Sequence, residues 1–251
     1  MGRRKIILSL LLTAIATVAG YAPAQADDTG LILDLGAEQK VSKHFSLGVV
    51  TELRTRNDFR TVDHFTLGVS GKYKITKWLK ADAGYEVIVN NNREHLSKHA
   101  DGKFNNWRPS YYGTRHRFTT SLTGDIDLGR FNISLRERYQ YTYRPEVTTH
   151  RYDFDNEQME PCTIEAKGKH ILRSRLKLEY NIPHCKFTPS ASGEIYTDKS
   201  LEKTKFTLGG TYTLKKHHSL EMGYQYQLIN HTVKHYNPDT HHIVLGYTYK
   251  F

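Results

Sequence analysis

Arginines spaced two residues apart are the residues of this chain best suited to chemistry. They occur as Arg136 with Arg138 and as Arg173 with Arg175, and Arg117 stands in the preceding segment. A guanidinium group binds carboxylate or phosphate through a planar fork of N–H donors. A spacing of two places both arginines of a pair on the same face of a β-strand. The pattern therefore predicts a wall of positive charge.

Carboxylates on the same alternation accompany these arginines. The predicted charge cluster comprises Glu52, Arg54, Arg117, Arg136, Arg138, Arg173, Arg175 and Glu194. An unpaired charge in a medium of low dielectric is costly, so one interpretation is mutual pairing that braces a narrow interior. The other is that the arginines bind an anion such as phosphate or carboxylate.

A serine beside a histidine is a second possible source of chemistry. His44 precedes Ser46, and His217 precedes Ser219, by the spacing that outer-membrane lipid hydrolases use for a nucleophile and its base. In the barrel that the sequence predicts, both pairs fall at the short turns on the periplasmic side. Such enzymes work at the outer leaflet, on the opposite side. With 14 histidines in the chain, such triplets also arise by chance. The sequence therefore leaves enzymatic activity uncertain and favours a protein that is not an enzyme.

Metal sites and cofactors are not predicted. The acidic residues between Asp153 and Glu160 lack the glycine that an EF-hand-type loop requires. Cys162 and Cys185 would form a disulfide by default in an oxidising compartment. The strand order derived below places them at opposite ends of a strand, so we predict that they are unpaired.

The N-terminal segment has the features of an export signal. Three basic residues precede an apolar run of about fifteen residues, which is shorter than the roughly 20 needed to span a bilayer. Ala24 and Ala26 supply the small residues of a cleavage site. We expect residues 1–26 to be a signal peptide, whose removal lowers the net charge from +10 to +7 because it holds three cations and no acid. Export argues against a nucleic-acid partner.

Apolar residues recur at every second position through most of the remaining chain. Leu31, Leu33 and Leu35 begin this pattern, and Tyr247, Tyr249 and Phe251 end it. The alternating segments run for about nine to thirteen residues, which suits tilted strands that cross a membrane. Residues 27–251 are therefore predicted to form an all-β, antiparallel transmembrane β-barrel of about 10–12 strands.

The connections support the same interpretation, because short turns alternate with longer loops. The two longest, residues 91–112 and 145–169, are predicted to be external loops. Glu137 interrupts the apolar face of its strand and Pro189 falls inside another, so β-bulges are expected near both. Eleven segments are counted, whereas bacterial barrels have an even number of strands. Ten strands, without 31–40, or twelve, with one more, would satisfy that rule.

The barrel interpretation implies partners. We expect contact with outer-membrane lipid and lipopolysaccharide, and recognition of Tyr247, Tyr249 and Phe251 by the machinery that assembles barrels. The basic charge suits anionic lipopolysaccharide but does not by itself identify a partner.

The order of motifs resembles an uncharacterised family of bacterial outer-membrane β-barrels, the domain of unknown function 2490. The resemblance covers nearly the whole mature chain and rests on arginine-centred patterns. These are residues 52–54, 73–80, 84–85, 115–117, 135–139, 172–175 and 194. It implies a barrel in the outer membrane and no particular activity.

Three functions follow from these residues. The first is a structural barrel or narrow solute pore in the outer membrane of a Gram-negative bacterium. The second is an outer-membrane hydrolase acting on lipid A or phospholipid. The third is a surface adhesin or receptor that binds through residues 91–112, with Trp107, Tyr111 and Tyr112 as contacts.

Overall fold

Alternating sequence segments become strands of one closed barrel in the computed structural model, which describes residues 27–215, 217–230 and 238–251. Eleven strands form the wall. They are β1 Asp28–Lys40, β2 Phe45–Arg56, β3 Thr61–Lys74, β4 Leu79–Asn92, β7 Tyr111–Leu128, β8 Phe131–Arg144, β11 Lys167–Tyr180, β12 Phe187–Thr197, β13 Leu201–Lys215, β14 His218–Ile229 and β15 Thr240–Lys250. The predicted all-β barrel of about 10–12 strands is confirmed. The predicted signal peptide lies outside the described residues.

The barrel closes through a parallel pair. Strand β1 runs beside β15 in parallel, from Asp28 opposite Thr240 to Glu38 opposite Lys250, while every other neighbouring pair in the wall is antiparallel. An odd number of strands makes the first and last strands run in the same direction, so closure must be parallel. The expected even number is therefore wrong, and residues 31–40 form a complete strand.

The wall exposes apolar side chains and buries polar ones, which is the reverse of the arrangement in a water-soluble protein. The most exposed apolar residues include Leu35, Trp78, Ile126, Leu176 and Met222, at 56–65% of their full area. The buried residues are mostly polar and line the interior, among them Thr66, Thr119, Ser121, Gln140 and Gln227. A soluble monomer rarely exposes so continuous an apolar surface, whereas hydrocarbon surroundings require one.

The two ends of the barrel differ, and we name them the turn end and the loop end. Short turns connect the strands at the turn end, where Gly129 adopts a left-handed φ of 63° in the connection between β7 and β8. The loop end carries the two long connections. We expected loops there, and the structure shows two hairpins, β5 His95–Lys98 with β6 Phe104–Arg108 and β9 Val147–Asp153 with β10 Gln158–Ile164.

The two hairpins join into a second sheet. It has four strands in the order β10, β9, β6 and β5, and its central contact pairs Asn106 with Asp153 and Trp107 with Tyr152. We call it the cap sheet. Cys162 lies in β10 and Cys185 lies in the turn before β12, so the predicted placement at opposite ends is confirmed and both cysteines are free.

The two expected β-bulges are absent from the described strands. The backbone pairing of β8 continues through Glu137 on both sides. The Glu137 carboxylate accepts a hydrogen bond from the Ser174 hydroxyl at 2.5 Å across the strand pair. Pro189 lies one residue beyond the last pair of β11 and β12, so its missing N–H interrupts no pair there. Register shifts occur instead at Arg54/Thr55, Tyr196/Thr197 and Thr213/Lys215.

Within the described ranges no helix is long and apolar enough to cross a membrane.

Candidate functional site in the charged lumen

The lumen is divided into two cavities. The cavity at the loop end has a volume of about 500 Å³ and the cavity at the turn end about 620 Å³, and no residue lines both. Polar and charged side chains form most of both walls, because every second residue of each strand points inward.

Ion pairs form the layer that separates the cavities. Glu86 accepts a hydrogen bond from Arg117 at 2.8 Å. Glu194 lies 2.9 Å from an Arg136 nitrogen and 3.1 Å from an Arg173 nitrogen. Arg117 and Arg173 line the loop-end cavity, whereas Glu86 and Arg136 line the turn-end cavity. These pairs therefore bridge from one cavity to the other across the interior.

Four of the predicted arginines form a compact group that we call the arginine square. Arg136 on β8 lies directly opposite Arg175 on β11, and Arg138 lies directly opposite Arg173. Like charges in directly opposed positions destabilise a sheet, usually by about 0.2–1 kcal/mol. The sequence placed both pairs on inward faces, but only the register shows that they face each other.

Too few carboxylates reach the arginine square to neutralise it. Glu194 pairs with Arg136 and Arg173, and Asp82 lies 3.4 Å from Arg138. Among the described residues, Arg175 has no ion pair. Four guanidinium groups thus share two carboxylates, and the group keeps an excess positive charge.

Glu52 and Arg54, the remaining members of the predicted cluster, lie on β2 in the loop-end cavity. Arg54 donates to Glu52 at 3.0 Å, and the His64 ring nitrogen Nε2 lies 2.8 Å from the same oxygen of Glu52. This group belongs to a different part of the wall from the arginine square. The predicted cluster is therefore two groups that share one lumen.

Sequence reasoning missed the side chains that complete the layer. Lys205 on β13 lies directly opposite Glu194 and is 8% exposed. The Tyr196 hydroxyl donates to Glu194 at 3.1 Å, and the ring of Tyr196 contacts the Arg173 guanidinium at 4.6 Å and the Lys203 ammonium at 4.4 Å. The inward positions of β13 are Thr207, Gly209 and Thr211. The next two positions of the same alternation toward the loop end are Lys205 and Lys203, so extending it would have found both lysines.

Positive charge dominates both cavities. The loop-end cavity is lined by three acids and nine cations, which are Arg54, Arg115, Arg117, Arg144, Lys167, Lys169, Arg173, Lys203 and Lys205. The turn-end cavity is also lined by three acids and nine cations, which are Lys40, Lys43, Lys72, Lys74, Lys80, Arg136, Arg138, Arg175 and Lys250. Low-dielectric walls of one charge sign concentrate ions of the opposite sign, so this lumen favours anions.

The two histidine–serine pairs lie at the turn end. The His44 ring nitrogen Nδ1 is 3.2 Å from the carbonyl oxygen of Lys74, and Ser46, the second residue of β2, lies opposite Lys72. The His217 ring packs on Tyr249 at 6.1 Å, and Ser219 lies opposite Thr248 in β14. In neither pair does a hydrogen bond between described residues join the serine to its histidine.

The acidic segment at Asp153 forms the turn of the second hairpin. The N–H groups of Asp155 and Asn156 donate to the Asp153 carboxylate, which holds the pKa of Asp153 below its usual range. No group of three potential metal ligands occurs in the part of the chain that the structure describes.

The fold and the lumen together define a class, a membrane-type β-barrel with a strongly basic interior. The chain belongs to the family described as "Protein of unknown function (DUF2490)", whose model matches residues 29–237. The family resemblance identified from the arginine-centred motifs is thereby confirmed.

Solved structures of low sequence identity resemble this chain. The beta domain of the Bordetella autotransporter BrkA is 12% identical, with 76% of this chain and 80% of that chain aligned and a TM-score of 0.51. The NanC porin is 13% identical, with 80% and 87% aligned and a TM-score of 0.42. At these identities the likeness concerns the fold. A search of curated proteins finds no match.

Proposed function

We propose that this protein is an integral barrel of the outer membrane whose lumen is a narrow pore selective for small anions. The observation that supports the proposal most directly is the arginine square, in which four inward guanidinium groups share two carboxylates. A wall braced only for stability would alternate opposite charges on adjacent strands. Opposite charges do face each other elsewhere in this wall, as Arg175 faces Glu194 of β12, but between β8 and β11 the register places Arg136 opposite Arg175 and Arg138 opposite Arg173. This concentration of guanidinium groups is useful where an anion is to be bound.

The chemistry of the lumen suits organic anions that carry a carboxylate or phosphate group. Arginine binds both groups through two parallel hydrogen bonds. The two cavities, of about 500 and 620 Å³, fall within the range of roughly 300–1,000 Å³ that is usual for small-molecule sites. An anion passing between them would replace Glu194 as the partner of Arg136 and Arg173, which opens the layer.

Several features support the outer membrane as the location. The wall exposes apolar side chains all round, and its strands of 11–18 residues are long enough to cross a bilayer with a tilt. The predicted signal peptide and the terminal aromatic residues Tyr247, Tyr249 and Phe251 fit export and barrel assembly. In this location the loop end faces outward and the turn end faces the periplasm.

Solute flux into proteoliposomes tests the proposal. We expect vesicles containing the purified barrel to take up labelled gluconate much faster than labelled N-methylglucamine, which is a cation of similar size. The Arg136→Gln/Arg175→Gln variant should lose most of this preference. Arg108→Gln is the matched control, because Arg108 ends β6 of the cap sheet, packs on Tyr111 and lines neither cavity. Equal uptake of the two solutes by the wild type would refute an anion pore.

The cap sheet favours a second candidate function, binding of a surface partner. It projects from the loop end and exposes Leu96, Phe104 and Met159 at 40–52% of their full area. Its outer strands β5 and β10 each pair on one side only among the described strands, so each has an edge open to another strand. Loss of partner binding on removal of the hairpins, with solute flux unchanged, would support this function.

A further inference from the structure

Pairs of tyrosine and histidine recur on the outward face of the barrel near the loop end. The Tyr85 hydroxyl lies 2.7 Å from Nδ1 of His116, and the Tyr139 hydroxyl lies 2.6 Å from Nδ1 of His170. In both pairs the tyrosine is one diagonal step closer to the turn end, since Tyr85 is opposite Phe118 and Tyr139 is opposite Leu172. A tyrosine hydroxyl that donates to Nδ1 leaves the imidazole hydrogen on Nε2.

These two pairs form a single patch. His116 on β7 lies opposite Tyr143 of β8, and His170 on β11 lies opposite Tyr141 of β8. The two histidines therefore flank one strand, and their Cα atoms are about 12 Å apart, because two strand spacings combine with an offset of two residues along β8. The Tyr141 ring packs on His170 with 4.8 Å between the ring centres. We call this group the histidine patch.

A third pair shows what is distinctive about the patch. Tyr224 bonds Nδ1 of His241 in the same diagonal arrangement, but Nε2 of His241 is already 3.0 Å from the Asp27 carboxylate. The Nε2 atoms of His116 and His170 have no hydrogen-bond partner among the described residues. With both tyrosine hydroxyls as donors, the patch presents two oriented Nε2–H groups to its surroundings, whereas Nε2 of His241 is occupied by Asp27.

An apolar groove runs next to the histidine patch, on the side toward the turn end. It has a volume of about 700 Å³, and its walls include the small residues Gly71, Ala83 and Thr120. Tyr139 lines this groove and also bonds His170, so groove and patch are continuous. Most of the residues that line the groove lie on the outward face of the barrel. Glu137 also lines it, and its carboxylate accepts a hydrogen bond from the Ser174 hydroxyl.

We propose that the histidine patch binds phosphate groups of a glycolipid of the outer leaflet, one at each histidine, and that the groove holds one of its acyl chains. Phosphate oxygens accept hydrogen bonds from neutral imidazole N–H groups. Tyrosines at this level of a barrel lie among lipid headgroups, which places both donors beside phosphate. The inference depends on the proposed location in the outer membrane and is independent of what the lumen admits.

Native mass spectrometry of the purified, detergent-solubilised barrel tests the proposal. The probes are lipid A carrying its phosphates and the same lipid with the phosphates removed. The His116→Phe/His170→Phe variant keeps both aromatic rings and removes both donors. We expect it to bind phosphorylated lipid A about tenfold more weakly, because two hydrogen bonds are lost, and to bind the dephosphorylated lipid like the wild type.

Two further variants complete the test. His241→Phe is the matched control and should bind both lipids like the wild type, since its N–H is already used by Asp27. Ala83→Phe fills the groove, keeps both histidines and should weaken binding of both lipids. Each variant is first checked for a heat-dependent gel shift, and the single variant His170→Phe serves if the double variant does not fold. Unchanged affinity for phosphorylated lipid A in the histidine variant would overturn the proposal, as would an equal loss for both lipids. Cell fractionation tests the location separately.

Discussion

Arg136 of β8 and Arg175 of β11 lie directly opposite each other, and both line the turn-end cavity. Glu194 contacts Arg136 at 2.9 Å, whereas Arg175 has no ion pair with a described residue. A sheet optimised for stability would place opposite charges in these positions. The arrangement keeps positive charge where a solute would pass, which links the register of two strands to the proposed selectivity.

This relationship predicts unequal effects of two substitutions on stability. Replacing Arg175 by glutamine removes its repulsion with Arg136 and also its attraction to Glu194 on β12, with which it forms no ion pair, so the free energy of unfolding in urea should change by less than about 1 kcal/mol. Replacing Glu194 by glutamine deprives Arg136 and Arg173 of their carboxylate, and the free energy of unfolding should fall by about 3 kcal/mol. An equal decrease in the free energy of unfolding for the two variants would show that Arg175 stabilises the barrel as Glu194 does.

Parallel closure of the barrel predicts a specific cross-link. Leu33 of β1 and Leu245 of β15 are directly opposite in the parallel register. With Cys162 and Cys185 replaced by serine, cysteines at 33 and 245 should form a disulfide under mild oxidation, because neighbouring strands bring Cα atoms within bonding range. Gel migration after boiling, with and without reductant, measures the bond. Cysteines at Leu33 and Tyr249 are the matched control, and cross-linking there but not at 245 would contradict the register.

The cap sheet should be dispensable for assembly. Its β9–β10 hairpin pairs with β6 only through Asn106 with Asp153 and Trp107 with Tyr152, and the barrel wall is closed without it. Replacing residues 148–163 by a short glycine-serine linker should leave the barrel folded, since loop length has a weak effect on folding free energy. A heat-dependent gel shift measures folding. Loss of that shift would mean that the hairpin contributes to the wall.

Asp153 predicts a local dependence on pH in the cap sheet. Hydrogen bonds from the Asn156 and Asp155 N–H groups lower its pKa below the ordinary value of 3.8. A depressed pKa stabilises the turn above the ordinary value, and this contribution is lost as pH falls through the folded pKa. Protection of the Asp155 and Asn156 amides from hydrogen exchange should therefore decrease in strongly acidic solution. Asp153→Ala should show the low protection already at neutral pH, and protection that did not depend on pH would contradict the assignment.

Much of the wall could be predicted from sequence, because a strand exposes alternate residues to two very different media. Segments such as 220–228 and 243–251 carry this alternation so regularly that the sequence predicts all eleven strands of the wall. The cap sheet was missed because its short strands, such as His95–Lys98, have two solvated faces and no alternating pattern. Strand parity was misjudged because the rule of even numbers rests on antiparallel closure, which this sequence does not use.

The candidate site was predicted in its residues but not in its geometry. Spacing placed Arg136, Arg138, Arg173 and Arg175 on inward faces, yet a shift of register by two residues would pair each of them differently. Pairing depends on turn lengths and on long-range contacts, which local sequence does not specify. Lys205 and Tyr196 were missed as members of the layer for the same reason, since their roles arise only from their position beside Glu194.

The reversal potential of the barrel in a planar bilayer tests the central claim most directly. With unequal KCl concentrations on the two sides, the wild type should give a potential of the sign expected for chloride selectivity. The Arg136→Gln/Arg175→Gln variant should bring that potential toward zero, and Arg108→Gln should leave it unchanged. A wild type that conducts no current, or one that prefers potassium, would contradict an anion pore governed by the arginine square.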